Sequence, residues 1–81
     1  MVSAGSKRGQ SQQLFGVRLR EFREERAFTQ RTLQDLSGVA ASYISAIENG
    51  EVNLSLDVAE RLCDALGVEL HKMLKPYPPV E

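Results

Sequence analysis

The sequence predicts an all-α fold, one compact domain of five short helices. Three observations carry that expectation. Apolar residues recur at the helical period, with no strand-like alternation and no internal repeat. Glycines fall where those periodic segments should end, at Gly38, Gly50 and Gly67. At 81 residues, with 42% hydrophobic and 26% charged side chains, the chain suits a single soluble domain with one modest core.

The elements follow in order. Residues 1–11, from the polar stretch "MVSAGSKRGQSQQ" with Lys7 and Arg8, read as a flexible polar and basic arm. A helix begins at about Gln12, with Phe15, Leu19 and Phe22 as one apolar stripe and Arg23 flanking it. In "AFTQRTLQDLSG", Thr29 suits an N-cap, Leu33 and Leu36 form the buried side, and Gly38 ends the helix in the left-handed conformation. "VAASYISAIEN" is helical from about Ala40 to Asn49 and is closed by Gly50. Ser55 caps "LDVAERLCDAL", whose residues Leu56, Ala59, Leu62, Cys63 and Leu66 share one face before Gly67. A last helix, "VELHKML", completes a domain spanning 12–75, and the prolines of residues 76–81 set an extended tail.

Charge is unevenly spread. Residues 1–31 carry Lys7, Arg8, Arg18, Arg20, Arg23, Arg26 and Arg31 against Glu21, Glu24 and Glu25, a balance of +4. The remaining fifty residues carry three basic and eight acidic groups, a balance of −5. That asymmetry either makes one face attractive to phosphates or is a solvated surface of uneven charge. No apolar run approaches the ~20 residues of a membrane span, and no secretory signal pattern follows Lys7 and Arg8. The lone Cys63 excludes an internal disulfide and suits a reducing cytoplasm. One His (His71, expected to be exposed) and one Cys make neither a metal site nor a nucleophilic triad, and no Gly-rich phosphate loop is present. The sequence therefore predicts no enzyme, no metal and no cofactor.

Two helices joined at Gly38 form a helix-turn-helix pattern, in which the second helix lies in the DNA major groove. The spacing sharpens it: Leu33 lies five residues before Gly38, Val39 follows, and Ile44 and Ile47 come six and nine after. "LREFREERAFTQRTLQDLSGVAASYISAIENG" with "LSLDVAERLCDALGV" closely resembles the phage-repressor and Cro-like helix-turn-helix proteins, the XRE family, over roughly residues 15–74. The segments "SYISAIE" and "NLSL" also resemble small controller proteins of restriction–modification operons. The resemblance implies a lambda-repressor-like five-helix fold with its helix-turn-helix at helices 2 and 3. It implies a homodimer bound to inverted repeats in double-stranded DNA.

The family pairs an arginine late in helix 1 with a glutamate at the end of helix 3, positions matched by Arg23 and Glu48. Glu48 lies four residues after Ile44, beside the buried stripe, where a half-buried carboxylate needs a bidentate partner. Two departures stand out. Gln34 replaces the family's usual alanine, tilting helices 2 and 3 or pointing its amide outward. Ala40 replaces the Ser or Thr that usually caps the recognition helix, a loss of about 1 kcal/mol that should leave the helix start mobile until DNA arrives.

With Ile44 and Ile47 inward, Ser42, Ser45, Ala46 and Asn49 face outward and Ala41 and Tyr43 flank them. Alanine methyls can meet a thymine methyl, and serine hydroxyls can bond either kind of base pair. Ala41, Ser42, Tyr43, Ser45 and Ala46 are thus the base-edge candidates. Tyr43 either reaches the sugar–phosphate backbone or simply covers the core. The resemblance implies phosphate contacts at Thr29, Gln30 and Asn49, and free N–H groups at a helix start favour an anion. Asn53 and Ser55 are further clamps, while Arg31, Arg18 and the Lys7–Arg8 arm add either diffuse attraction or plain surface charge. Val68, Leu70, Met73, Leu74 and Tyr77 form either a dimer surface or a cap on the core.

The function expected is a dimeric DNA-binding transcription regulator in the cytoplasm, associated with the nucleoid. With no room after helix 5 for a ligand-sensing domain, control would come from concentration and dimerisation. The alternative is an antitoxin-type module that masks a partner protein and autoregulates its operon.

Overall fold

A computed structural model describes residues 10–76. The described chain forms five helices: α1 (Gln10–Glu25), α2 (Gln30–Ser37), α3 (Ala41–Glu48), α4 (Leu56–Leu66) and α5 (Leu70–Met73). Helix α1 begins two residues before the expected Gln12, because Gln10 and Ser11 contain nothing that breaks a helix. The arm residues Lys7 and Arg8 and the tail residue Tyr77 lie outside the described residues.

Chain reversals follow local chemistry. Thr29 and Ser55 cap α2 and α4 as expected, their hydroxyls accepting from the backbone N–H groups of Thr32 and Val58. At the end of α1, Phe28 N–H donates to the Arg23 carbonyl at 3.0 Å, and Ala27 takes the left-handed conformation at φ 56°. Glycine usually fills that place, since a Cβ there is strained. The guanidinium of Arg26 braces the same turn, donating to the Phe22 carbonyl (3.0 Å) and to the Leu66 carbonyl at the end of α4 (2.8 Å). It also lies 5.5 Å from the Phe22 ring centroid.

The core gathers Phe15 and Leu19 of α1, Leu33 of α2, Val39 of the turn, and Ile44 and Ile47 of α3. Ala59, Leu62, Cys63 and Leu66 of α4 and Met73 of α5 complete it. Two expected core residues are exposed instead, Leu36 at 55% and Leu56 at 65%. Helix α2 is eight residues long and buries only Leu33 fully; Leu36, rotated by roughly 60° from it, stays in solvent. Leu56 is the first residue of α4, immediately after the cap, where packing has not begun.

Met73, expected at a dimer surface, is 0% exposed. The four-residue α5 packs on α1 and α4, and its unbranched thioether side chain fills the space beneath. Val68 and Leu70 also pack partly against the core, so this segment mainly closes the domain, and Leu74 remains exposed. Arg18 is not a free surface charge: its Nε and Nη2 donate to the Lys75 carbonyl at 3.2 and 2.8 Å, tying the chain after α5 to α1.

Cys63 is buried, and its thiol is pushed up to about 11, by burial first and then by the Asp64 and Glu60 carboxylates. At pH 8 the native protein should therefore resist a thiol-reactive dye that labels it fully in denaturant; fast native labelling would contradict the burial. The unfolded thiol ionises near 9.0 and the folded one near 11, so this group's contribution to stability falls as pH rises through that interval.

Candidate nucleic-acid interface

Helices α2 and α3 and the turn between them are set by three residues, Gly38, Ser37 and Gln34. Gly38 supplies the left-handed residue at φ 78° that ends α2. Ser37 Oγ donates to the Leu33 carbonyl at 2.6 Å and accepts from the Val39 N–H at 3.1 Å. Ala40 gives α3 no side-chain cap, but Gln34 Oε1, reaching across from α2, accepts from the Ala41 N–H at 2.8 Å. The two departures from the family pattern thus compensate each other. Gln34 does not aim its carbonyl outward, and the start of α3 is held rather than loose.

The far end of α3 is held by the predicted ion pair. Arg23 Nε and Nη2 donate to Glu48 Oε2 and Oε1 at 2.7 and 3.1 Å, and Nη1 donates to the Phe28 carbonyl at 2.8 Å. The Glu48 side chain is only 4% exposed and that of Arg23 11%, although both residues as a whole are half-buried. The hydrogen bond to Glu48 raises the Arg23 pKa above its ordinary value against the opposing effect of burial. Gln30 completes the cluster, its Nε2 donating to Glu48 Oε1 at 3.0 Å. No described side chain buries an unpaired polar atom.

Between these anchors, α3 turns Ile44 and Ile47 into the core and leaves Ser42 and Asn49 exposed, with Ala41, Tyr43, Ser45 and Ala46 half-buried. Of the four residues expected to face outward, Ser42 and Asn49 are exposed, while Ser45 and Ala46 are partly covered. Tyr43 packs partly against the core, and its hydroxyl donates to the Asn53 carbonyl at 3.2 Å, which is the core-covering geometry rather than a free reach toward a ligand. Asn53 Oδ1 also accepts from Gln12 Nε2 at 2.8 Å, so α1 and α3 both grip the loop before α4.

The hydrogen bond from Gln30 brings the start of α2 beside Glu48 at the end of α3, Thr29 preceding Gln30 and Asn49 following Glu48 in the chain. Ser55 stands as the cap of α4. Arg31 is exposed on α2 beside Asp35 at 3.8 Å. Sequence reasoning noticed Gln34 only as a departure. It missed Arg26 and Gln12, whose partners lie about forty residues away and leave no periodic signal. Among the described residues no cluster of His, Cys, Asp and Glu could hold a metal ion. None of their helices is long and apolar enough to cross a membrane.

Comparison with known proteins agrees with this geometry. The helix-turn-helix domain family matches residues 14–73. The transcriptional regulator SinR of Bacillus subtilis is 34% identical over 62 residues, covering 75% of this chain and 56% of SinR; the chain thus spans little more than half of that relative. Among solved structures, the restriction–modification controller protein C.AhdI of Aeromonas hydrophila is 39% identical with a TM-score of 0.73, over 76% of this chain and 94% of that one. The clp gene regulator ClgR of C. glutamicum is 32% identical with a TM-score of 0.73, over 78% and 82% of the two chains. The chain belongs to the helix-turn-helix domain family, in the XRE-like form that it shares with these regulators.

Proposed function

We propose that the chain binds double-stranded DNA as a homodimer on an inverted-repeat operator and regulates transcription there. The observation that carries this reading is the α2–α3 unit, held at both ends of α3 and presenting small side chains beside the core-covering Tyr43. Ala41 and Ala46 offer methyls, Ser42 and Ser45 offer hydroxyls, and none of these discriminates strongly alone. Selectivity then rests on backbone fit, DNA deformability and the spacing of two half-sites. Thr29, Gln30, Arg31, Asn49, Asn53 and Ser55 serve the phosphates. Gln30 does so with its second amide hydrogen, the first being given to Glu48.

A reader this sparse needs two copies. Leu74, with the exposed edges of Val68 and Leu70, supplies the apolar contact for the pair. Likeness to a restriction–modification controller over nearly all of that protein's length supports a regulatory role.

The test is selection of bound duplexes from a random pool at moderate salt, followed by titration of the winner. The expected result is an inverted repeat with half-sites about one helical turn apart, bound cooperatively. Enrichment of a single half-site by a monomer would overturn the dimer. No enrichment by folded protein would turn attention to a protein partner.

A further inference from the structure

Gln34 is the one polar side chain of α2 whose hydrogen bond ends on the backbone of α3. The amide it satisfies, that of Ala41, is one of the orphan N–H groups that every helix start exposes. Ala40 offers no side-chain oxygen to that turn, and its own backbone is extended at φ −58° and ψ 140°. An N-terminal turn of that kind ordinarily depends on the residue immediately before it. Here the acceptor comes from seven residues upstream, on a different helix.

We propose that Gln34 is a positioning residue, a cap supplied by α2 that fixes where α3 begins and at what angle it leaves the turn. A local cap holds a helix start in any orientation of the helix. A cap from the neighbouring helix holds it in one, because moving α3 relative to α2 breaks the bond. Ser37 constrains the same turn by bonding both the Leu33 carbonyl and the Val39 N–H, so both helices lead into a turn with little slack. The oxygen of Gln34 does the work, and its amide hydrogens are not required. The consequence for DNA rests on the proposed function: with α3 aligned before binding, the complex does not have to order its first turn.

The test combines two measurements on three variants, Gln34→Ala, Gln34→Glu and the double change Gln34→Ala with Ala40→Ser. Amide hydrogen exchange in the free protein reads the cap without any DNA. Gln34→Ala should lose about fivefold protection at Ala41 and its neighbours, the equivalent of about 1 kcal/mol for a lost cap, while protection in α4 stays unchanged. Gln34→Glu keeps an acceptor oxygen and should retain protection. Adding Ala40→Ser should recover the helix start, although not its fixed angle. Affinity for the selected duplex should fall about fivefold in Gln34→Ala and return in part in the double variant.

Unchanged exchange at Ala41 in Gln34→Ala would overturn the cap. So would loss of protection in Gln34→Glu equal to that in Gln34→Ala. A loss of affinity with exchange intact would make Gln34 a direct contact instead and also overturn the proposal. If the wild-type protein selects no duplex, the DNA reading fails while the exchange result still decides the cap.

Discussion

Arg23→Ala is expected to destabilise the domain by about 3–5 kcal/mol, the effect of stranding one member of a buried ion pair. Glu48 would keep only the Gln30 amide as a partner at 4% exposure, and the Phe28 carbonyl would lose its donor as well. A domain of this length has a total stability of roughly 4–12 kcal/mol, so the change removes a large fraction of it. Urea denaturation followed by circular dichroism measures the shift in midpoint. Replacing both residues by apolar ones of similar volume should recover much of the loss, because no charge is then left unpaired. A cost below about 1 kcal/mol for Arg23→Ala would put the pair in the class of exposed salt bridges and contradict its burial.

Gly16→Ala should also be damaging, though less so, and here helix propensity points the wrong way. Alanine within a helix is favoured over glycine by about 1 kcal/mol, so an open site would be stabilised. Gly16 is not open. A Cβ there would overlap the Ile47 carbonyl oxygen and sit 3.2 Å from both the Cα and the carbonyl oxygen of Glu48. Those are backbone atoms, which cannot rotate aside, so α1 and α3 must separate. The expected net loss is about 1–3 kcal/mol, read as a fall in melting temperature. Duplex affinity should drop with it, since the displaced segment carries Glu48 and leads to Asn49. A variant as stable as the parent would mean the two helices can part freely.

The fold was largely legible because its signals are local. The stripe of Phe15 and Leu19, the caps Thr29 and Ser55, and the glycine stops at 38 and 67 each lie within one element. The Arg23–Glu48 pair was legible through the resemblance and through the place of Glu48 beside Ile44. What failed was burial at the margins. Leu36 and Leu56 have core chemistry but lie where a short helix has no neighbour, and of the two places open to Met73, dimer surface or cap on the core, the structure gives the second. Periodicity gives the side of a helix and not the length of the surface that covers it. Gln34 was seen as an irregularity and Ala40 as a defect, because their relation runs between two elements. The placement of Tyr43 depended on the Asn53 carbonyl, which no spacing rule reaches.

The groups that hold α3 are Arg23, Gln30, Gln34 and Gly16, and none of them sits among the outward positions of α3 itself. Scaffold and vocabulary are therefore separate sets of residues. On the proposed reading, substitutions at the exposed Ser42 can alter what the surface reads without disturbing the fold beneath it. On the same proposed reading, a lineage carrying this domain can drift to new operators one residue at a time, each intermediate still folded. Small side chains leave it the most room in which to do so.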